Sequence, residues 1–222
     1  MKTWTEDNPK ASLMNRKRAA IVDAARKAFL EGGYAETSMD RIASAAGVGI
    51  KTVYRHFENK DDLFSAVMHA ACRPEGFEGV DTNEHDPAPL PERPWFSKPP
   101  RIAFVMAGVE YLQHALSKEQ LALYQVVTRD AHRFPELGLR YREEVIESRN
   151  DLFIRYLDRW GSAEKWKIKD PRRAANIFAA LLRAGIFEDA LHGLHRFDES
   201  EVLVHVRLAA GNMLTLLKAG SL

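Results

Sequence analysis

Apolar residues along this chain recur three and four positions apart rather than in alternation, and most such stretches are bounded by helix start or stop signals. Ile21, Ala24, Ala25, Ala28 and Phe29 form the first stripe, and Gly32-Gly33 stops it. Met39, Ile42, Ala43 and Ala46 form a second, short stripe, opened by the hydroxyl of Thr37 or Ser38 and closed by Gly47 in a left-handed position. A third element runs to about Phe57 with Val53 and Phe57 inward. Leu63, Phe64, Val67 and Met68 continue the pattern after Asn59-Lys60-Asp61-Asp62, whose acidic pair suits a helix N-terminus.

Residues 73–100 interrupt this periodicity. Arg73-Pro74-Glu75-Gly76 and Pro87-Ala88-Pro89-Leu90-Pro91-Glu92-Arg93-Pro94 cannot propagate a helix, so the segment reads as a long linker. Trp95 and Phe96 at its end either tuck it onto a core or close over a cavity. Stripes resume at Ile102, Val105, Met106, Val109, Leu112 and Leu116 and continue through Leu121 to Thr128; Pro135 then separates two helices. Val145, Leu152, Phe153, Tyr156, Leu157 and Trp160 line the next, which Gly161 is expected to end. Asp170-Pro171 opens another that carries Phe178, Leu182, Ile186 and Phe187, and Asp198 with Glu201 resembles a capping box for the last. The pattern predicts an all-α chain. It has a flexible arm over 1–14, a helix-turn-helix domain over 15–70 with the motif at 38–57, a Pro-rich linker over 71–100 and a larger helical domain over 101–222.

Chemistry concentrates on the motif. Its second helix presents Gly49, Ile50, Lys51, Tyr54, Arg55 and His56 outward. A helix of this kind lies in a DNA major groove, where phosphate contacts fix register and a few side chains read base edges. Lys51 and Arg55 are cations, and Thr52, Tyr54 and His56 can hydrogen-bond phosphate oxygens. The chain has 222 residues, 45% of them hydrophobic, and a net charge of only +1, so basicity is not a property of the whole. Residues 1–57 hold ten Lys/Arg against six Asp/Glu, a local excess of four. Arg16-Lys17-Arg18 at the start of the first stripe is either a solvated helix start or a contact to phosphate or minor groove.

The motif's setting resembles the TetR family of bacterial one-component repressors. The resemblance runs from Arg16 to about Val67 through Ala24-Ala25-Arg26-Lys27-Ala28-Phe29, Gly32-Gly33-Tyr34, Thr37-Ser38-Met39, Ile42-Ala43, Ala46-Gly47-Val48 and Val53-Tyr54-Arg55-His56-Phe57-Glu58-Asn59-Lys60 before Leu63. Phe134-Pro135-Glu136-Leu137 is similar to a turn in the AcrR-like repressors associated with drug efflux. The resemblance implies operator DNA as partner. It implies a DNA-binding set of Thr37, Ser38, Gly49, Ile50, Lys51, Thr52, Tyr54, Arg55, His56 and Lys60, the last near a phosphate. It also implies a homodimer through residues 171–191 and 200–218, where Ala179, Ala209, Ala210 and Gly211 permit close approach. The linker at 73–100 departs from the family, which continues a helix there.

A regulatory core also implies a small-molecule effector. Phe104, Tyr111, Tyr124, Phe153, Tyr156 and Phe178 supply apolar and aromatic walls for such a guest, with His114, Gln125 and His132 as polar candidates. His114 and His132 serve equally as partly buried core histidines. His192 and His195 lack further ligands for a metal, and no GxGxxG, P-loop or GxSxG occurs, so no cofactor, metal or active site is expected. The single Cys72 forms no intrachain disulfide, the N-terminus lacks a signal-peptide core, and no apolar run is expected to span a bilayer. These point to a cytoplasmic bacterial protein. The alternative is a helical small-molecule-binding or enzymatic protein with a vestigial motif, and a mobility shift separates the two.

Overall fold

A computed structural model describes residues 9–71 and 93–222, and every regular element among them is helical. The helices are α1 (Pro9–Gly32), α2 (Met39–Ala45), α3 (Ile50–His56), α4 (Lys60–Ala71), α5 (Pro100–Ala115), α6 (Lys118–Asp130) and α7 (Pro135–Arg140). A π-helical stretch, Tyr141–Glu147, leads into α8 (Ser148–Glu164), followed by α9 (Pro171–Arg183), α10 (Ile186–Leu191) and α11 (Glu199–Ala219). Local signals place most of these ends. Ser38, not Thr37, caps α2, its hydroxyl accepting the Arg41 amide at 3.2 Å. Gly47 turns with φ of 66° between α2 and α3. Asn59 accepts the Asp62 amide at the start of α4, Asp170 accepts the Arg173 amide before Pro171, and Asp198 with Glu201 forms a reciprocal capping box.

The chain divides into two compact units, and the division does not follow the linker alone. The first unit joins described residues 9–71 to Ala122–Val145; the second holds 93–121 and 146–222. In the first unit α1, α2, α3 and α4 pack around Ile21, Phe29, Ile42, Val53, Leu63 and Phe64, and Leu123, Val126, Leu137 and Val145 complete the same core. Tyr34 stacks on Phe29 and meets Phe64 and Phe134 edge-on at centroid distances of 5.4 and 5.2 Å. The loop between α1 and α2 is held at its backbone. The buried Asp130 carboxylate accepts the amides of Tyr34 at 2.8 Å and Ala35 at 3.3 Å. Lys60 Nζ donates to the carbonyls of Tyr34 and Thr37 at 2.9 and 3.0 Å.

In the second unit α11 packs on α5 and α9, and α8 on α9. Trp95 is buried in this core, its indole N–H donating to Glu110 at 2.9 Å, so the end of the linker is a packing element. The rest of the linker reading falls on residues 72–92, outside the described part.

Four expectations change. The first helix opens at Pro9, not Arg16, because proline is tolerated in a first turn and no breaker follows it; within the arm reading, residues 1–8 lie outside the description. Gly161 does not end α8, which continues to Glu164 and stops at Lys165 with φ of 56°; an isolated glycine weakens a helix without terminating it. Gly185, with φ of 77°, does interrupt residues 171–191, splitting them into α9 and α10. And α11 is by length and composition apolar enough to cross a membrane. One face of it, with Val202, Val206, Ala209, Ala210, Met213 and Leu217, belongs to the core of the second unit.

A candidate DNA-binding surface

Helix α3 is short, and two buried side chains orient it. Val53 is fully buried and Phe57, at its C-cap, nearly so. This inward pair leaves Gly49, Lys51, Tyr54 and Arg55 exposed, with Ile50, Thr52 and His56 half-buried at the flanks. No Asp or Glu lies between Gly47 and Phe57. The exposed face therefore combines two cations and a phenol, with the Thr52 hydroxyl at its flank. Ser38 is exposed at the N-cap of α2, and its hydroxyl keeps a proton for a phosphate oxygen while it accepts from Arg41.

Two members of the expected set sit differently from that reading. Thr37 is buried, and its hydroxyl lies 2.7 Å from the carbonyl of Gly33 and 3.1 Å from that of Ala28. It fastens the α1–α2 loop from within and does not present its side chain at the surface. Lys60 is half-buried, spends two of its three donors on that same loop and lies 4.2 Å from the Tyr34 ring centroid. Burial lowers its pKa, against the pull of Asp61, Asp130 and Glu36. Its third N–H donates to no acceptor among the described residues.

His56 is set apart by its electrostatics. Burial, then Arg55, Arg18 and Lys17, hold its imidazole below the ordinary value of 6.5. Its Nε2 is shielded and has no hydrogen-bond partner among the described residues. Arg18, from α1, lies over the Phe57 ring at 5.0 Å from the centroid. Sequence reasoning singled out Arg16-Lys17-Arg18 but had no means of placing them beside residue 56.

The expected effector set is divided. Phe104, Phe153, Tyr156 and Phe178 form a continuous ring cluster in the second unit, with Phe153–Phe178 stacked at 5.0 Å and Phe104–Phe178 tilted at 5.1 Å. Tyr111 and His114 are half-buried in the same unit; burial, with Arg149 and Arg93, lowers the pKa of His114. Tyr124, Gln125 and His132 belong to the first unit, and Gln125 and His132 are exposed there. The buried Trp166, whose indole N–H has no partner among the described residues, joins the ring cluster at 6.2 Å from Phe104. It was missed because its stretch carries no helical period.

Residues 21–67 match the profile of bacterial regulatory proteins of the tetR family, and residues 104–219 match that of the AefR-like transcriptional repressor C-terminal domain. The chain is 40% identical over 52 residues to the helix-turn-helix regulator YhgD of Bacillus subtilis, a match covering 23% of this chain and only 27% of YhgD. It is 26% identical over 212 residues to the transcriptional repressor BepR of Brucella suis, covering 91% of this chain and 92% of that one. The solved structure of the flavonoid-responsive regulator FrrA superposes with a TM-score of 0.72 at 26% identity, covering 90% of this chain and 96% of FrrA. Two family profiles, in the right order and together spanning most of the described residues, agree with the helix-turn-helix geometry. The chain belongs to the TetR family of bacterial regulatory proteins and carries an AefR-like repressor C-terminal domain.

Proposed function

We propose that this protein is a homodimeric transcriptional repressor that holds one operator half-site per subunit and leaves the operator when a small, largely apolar molecule binds its second unit. The observation that carries the DNA-binding part is the acid-free outward face of α3, oriented by Val53 and Phe57. Gly49, Ile50 and Lys51 meet base edges, while Ser38, Thr52, Tyr54, Arg55, His56 and the third donor of Lys60 take phosphates. A regulator of this family acts in the bacterial cytoplasm, where its operator is.

The exposed side of α11 supports dimerisation. Val204 and Leu208 are 68% and 65% exposed, and with Gly211 and Thr215 they form one face at four-three-four spacing. A Cβ at Gly211 would meet nothing within 4 Å among the described residues. Two α3 helices in a dimer reach successive major grooves, about 34–36 Å apart, so an effector that favours a different separation releases the protein. The ring cluster around Phe104, Phe153, Tyr156 and Phe178 supports an aromatic effector, as does the resemblance to FrrA, described as flavonoid-responsive.

The test is a mobility shift with the DNA upstream of the chain's own gene. Binding that exceeds that to unrelated duplex, and falls to the same level in Lys51→Ala, is the expected result. Equal binding of both duplexes by the wild type rejects operator recognition, and no binding of either leaves the vestigial-motif reading.

A further inference from the structure

Four cationic or ionisable side chains gather at the C-terminal end of α3, and two of them come from α1. Lys17 and Arg18 lie on α1, ahead of the matched residues 21–67. Both are half-buried, whereas the neighbouring Arg16 is exposed. The Arg18 guanidinium is set over the Phe57 ring at 5.0 Å, so its charge is held beside the end of α3. Arg55 and His56 supply the other two groups. Among the described residues no carboxylate pairs with Lys17, Arg18 or Arg55, although Arg26 and Lys27, two turns further along α1, both pair with Asp23.

An unneutralised cluster is unfavourable for the free protein, because like charges raise one another's energy. At His56 burial is the first cause that favours the neutral imidazole, and Arg55, Arg18 and Lys17 all push it further the same way. A single anion arriving at this end of the helix would relieve that repulsion.

We propose that Lys17 and Arg18 of α1 join Arg55 and His56 in a clamp for one backbone phosphodiester of duplex DNA, beyond the contacts made by the α3 face itself. The inference rests on the DNA-binding reading above. The clamp touches phosphate alone, so it adds affinity without sequence preference. Arg18 is the positioned member, and Lys17 adds charge within reach. The helical extension of α1 back to Pro9 is what carries both residues to the site.

The experiment compares wild type, Lys17→Met, Arg18→Met and the double variant on the upstream duplex and on a random duplex of about 30 base pairs, across a range of salt concentrations. Methionine keeps the apolar stem of each side chain and removes the charge. The double variant is expected to bind both duplexes about ten-fold more weakly, with a salt slope shallower by about one. Arg18→Lys is expected to restore most of the loss. If Arg18→Met disturbs folding through Phe57, Lys17→Met alone, which leaves that ring contact untouched, still has to lower the slope. Unchanged affinity and slope in both single variants, while Lys51→Ala abolishes preference for the upstream duplex, overturns the clamp and leaves DNA recognition standing. A loss confined to the upstream duplex also overturns it, since that is base reading.

Discussion

Asp130 does its work through one carboxylate. Burial alone would raise its pKa, but the Arg129 guanidinium and the amides of Ala35 and Tyr34 more than offset this, and the group is held below its ordinary 3.8. A depressed carboxylate stabilises the fold in full above its unfolded value and ceases to do so as pH falls through the folded one. Asp130→Asn keeps an accepting oxygen and removes the charge. It is expected to lower stability by about 1–2 kcal/mol at neutral pH, the difference between charged and neutral hydrogen bonds to the same donors. In denaturant titrations the gap between variant and wild type should close below about pH 4. A gap of equal size at pH 3 and pH 7 would show that the charge is not what holds the loop. This residue was invisible as a site in the sequence, because it stands 96 positions from the amide it binds. The same distance problem hid Arg18 beside His56. The motif residues themselves were legible, since a helix face is set by spacing within seven residues. Thr37 was the exception: its position beside a cap signal suggested exposure, and only the carbonyls of Ala28 and Gly33 reveal why it turns inward.

At the scale of elements, the ends declared by a side chain were readable, and those decided by space were not. Ser38, Asp170 and Asp198 announce their helices because each cap bonds to an amide two or three residues on. Gly161 and Gly185 look alike in sequence, yet one lies within α8 and the other breaks 171–191. Gly108 is a third case, on α5 where it crosses α11. A Cβ built there would lie 2.7 Å from Val206 Cγ1 and 2.9 Å from Leu182 Cδ2. Both neighbours are buried, and the stiff Val206 has no free end to swing away. Gly108→Ala is therefore expected to lower stability by about 1–2 kcal/mol, overpacking outweighing the gain in helix propensity. Gly161→Ala, where the Cβ would meet nothing within 4 Å, should instead raise it by about 0.5–1 kcal/mol. Thermal unfolding of the two variants distinguishes them, and a stabilised Gly108→Ala would mean that α5 and α11 are not in close contact.

For the whole molecule, assembly is tested by Leu208→Glu. Phe178 and Ala209 are buried within the subunit, so a charge at either would report on the core. Leu208 is exposed, so its substitution leaves the fold intact and acts on association alone. Sedimentation is expected to show a wild-type dimer and a folded monomeric variant with much weaker operator binding; a variant that remains dimeric removes the α11 face from the interface. The first unit has a different lesson, in its discontinuity. Leu123, Val126, Val127, Leu137 and Val145 complete a hydrophobic core whose other members precede residue 72. A fragment ending at residue 71 would leave that apolar surface open to water, so it should show weak helical circular dichroism and rapid proteolysis; a stable, cooperatively unfolding fragment would contradict this. The proposed DNA recognition by α3 is then not a detachable cassette. A chimaera that grafts residues 9–71 onto another regulator inherits a head without its own closing segment, and recombination that exchanges operator preference between such proteins has to carry 122–145 along or find a recipient whose equivalent stretch already fits.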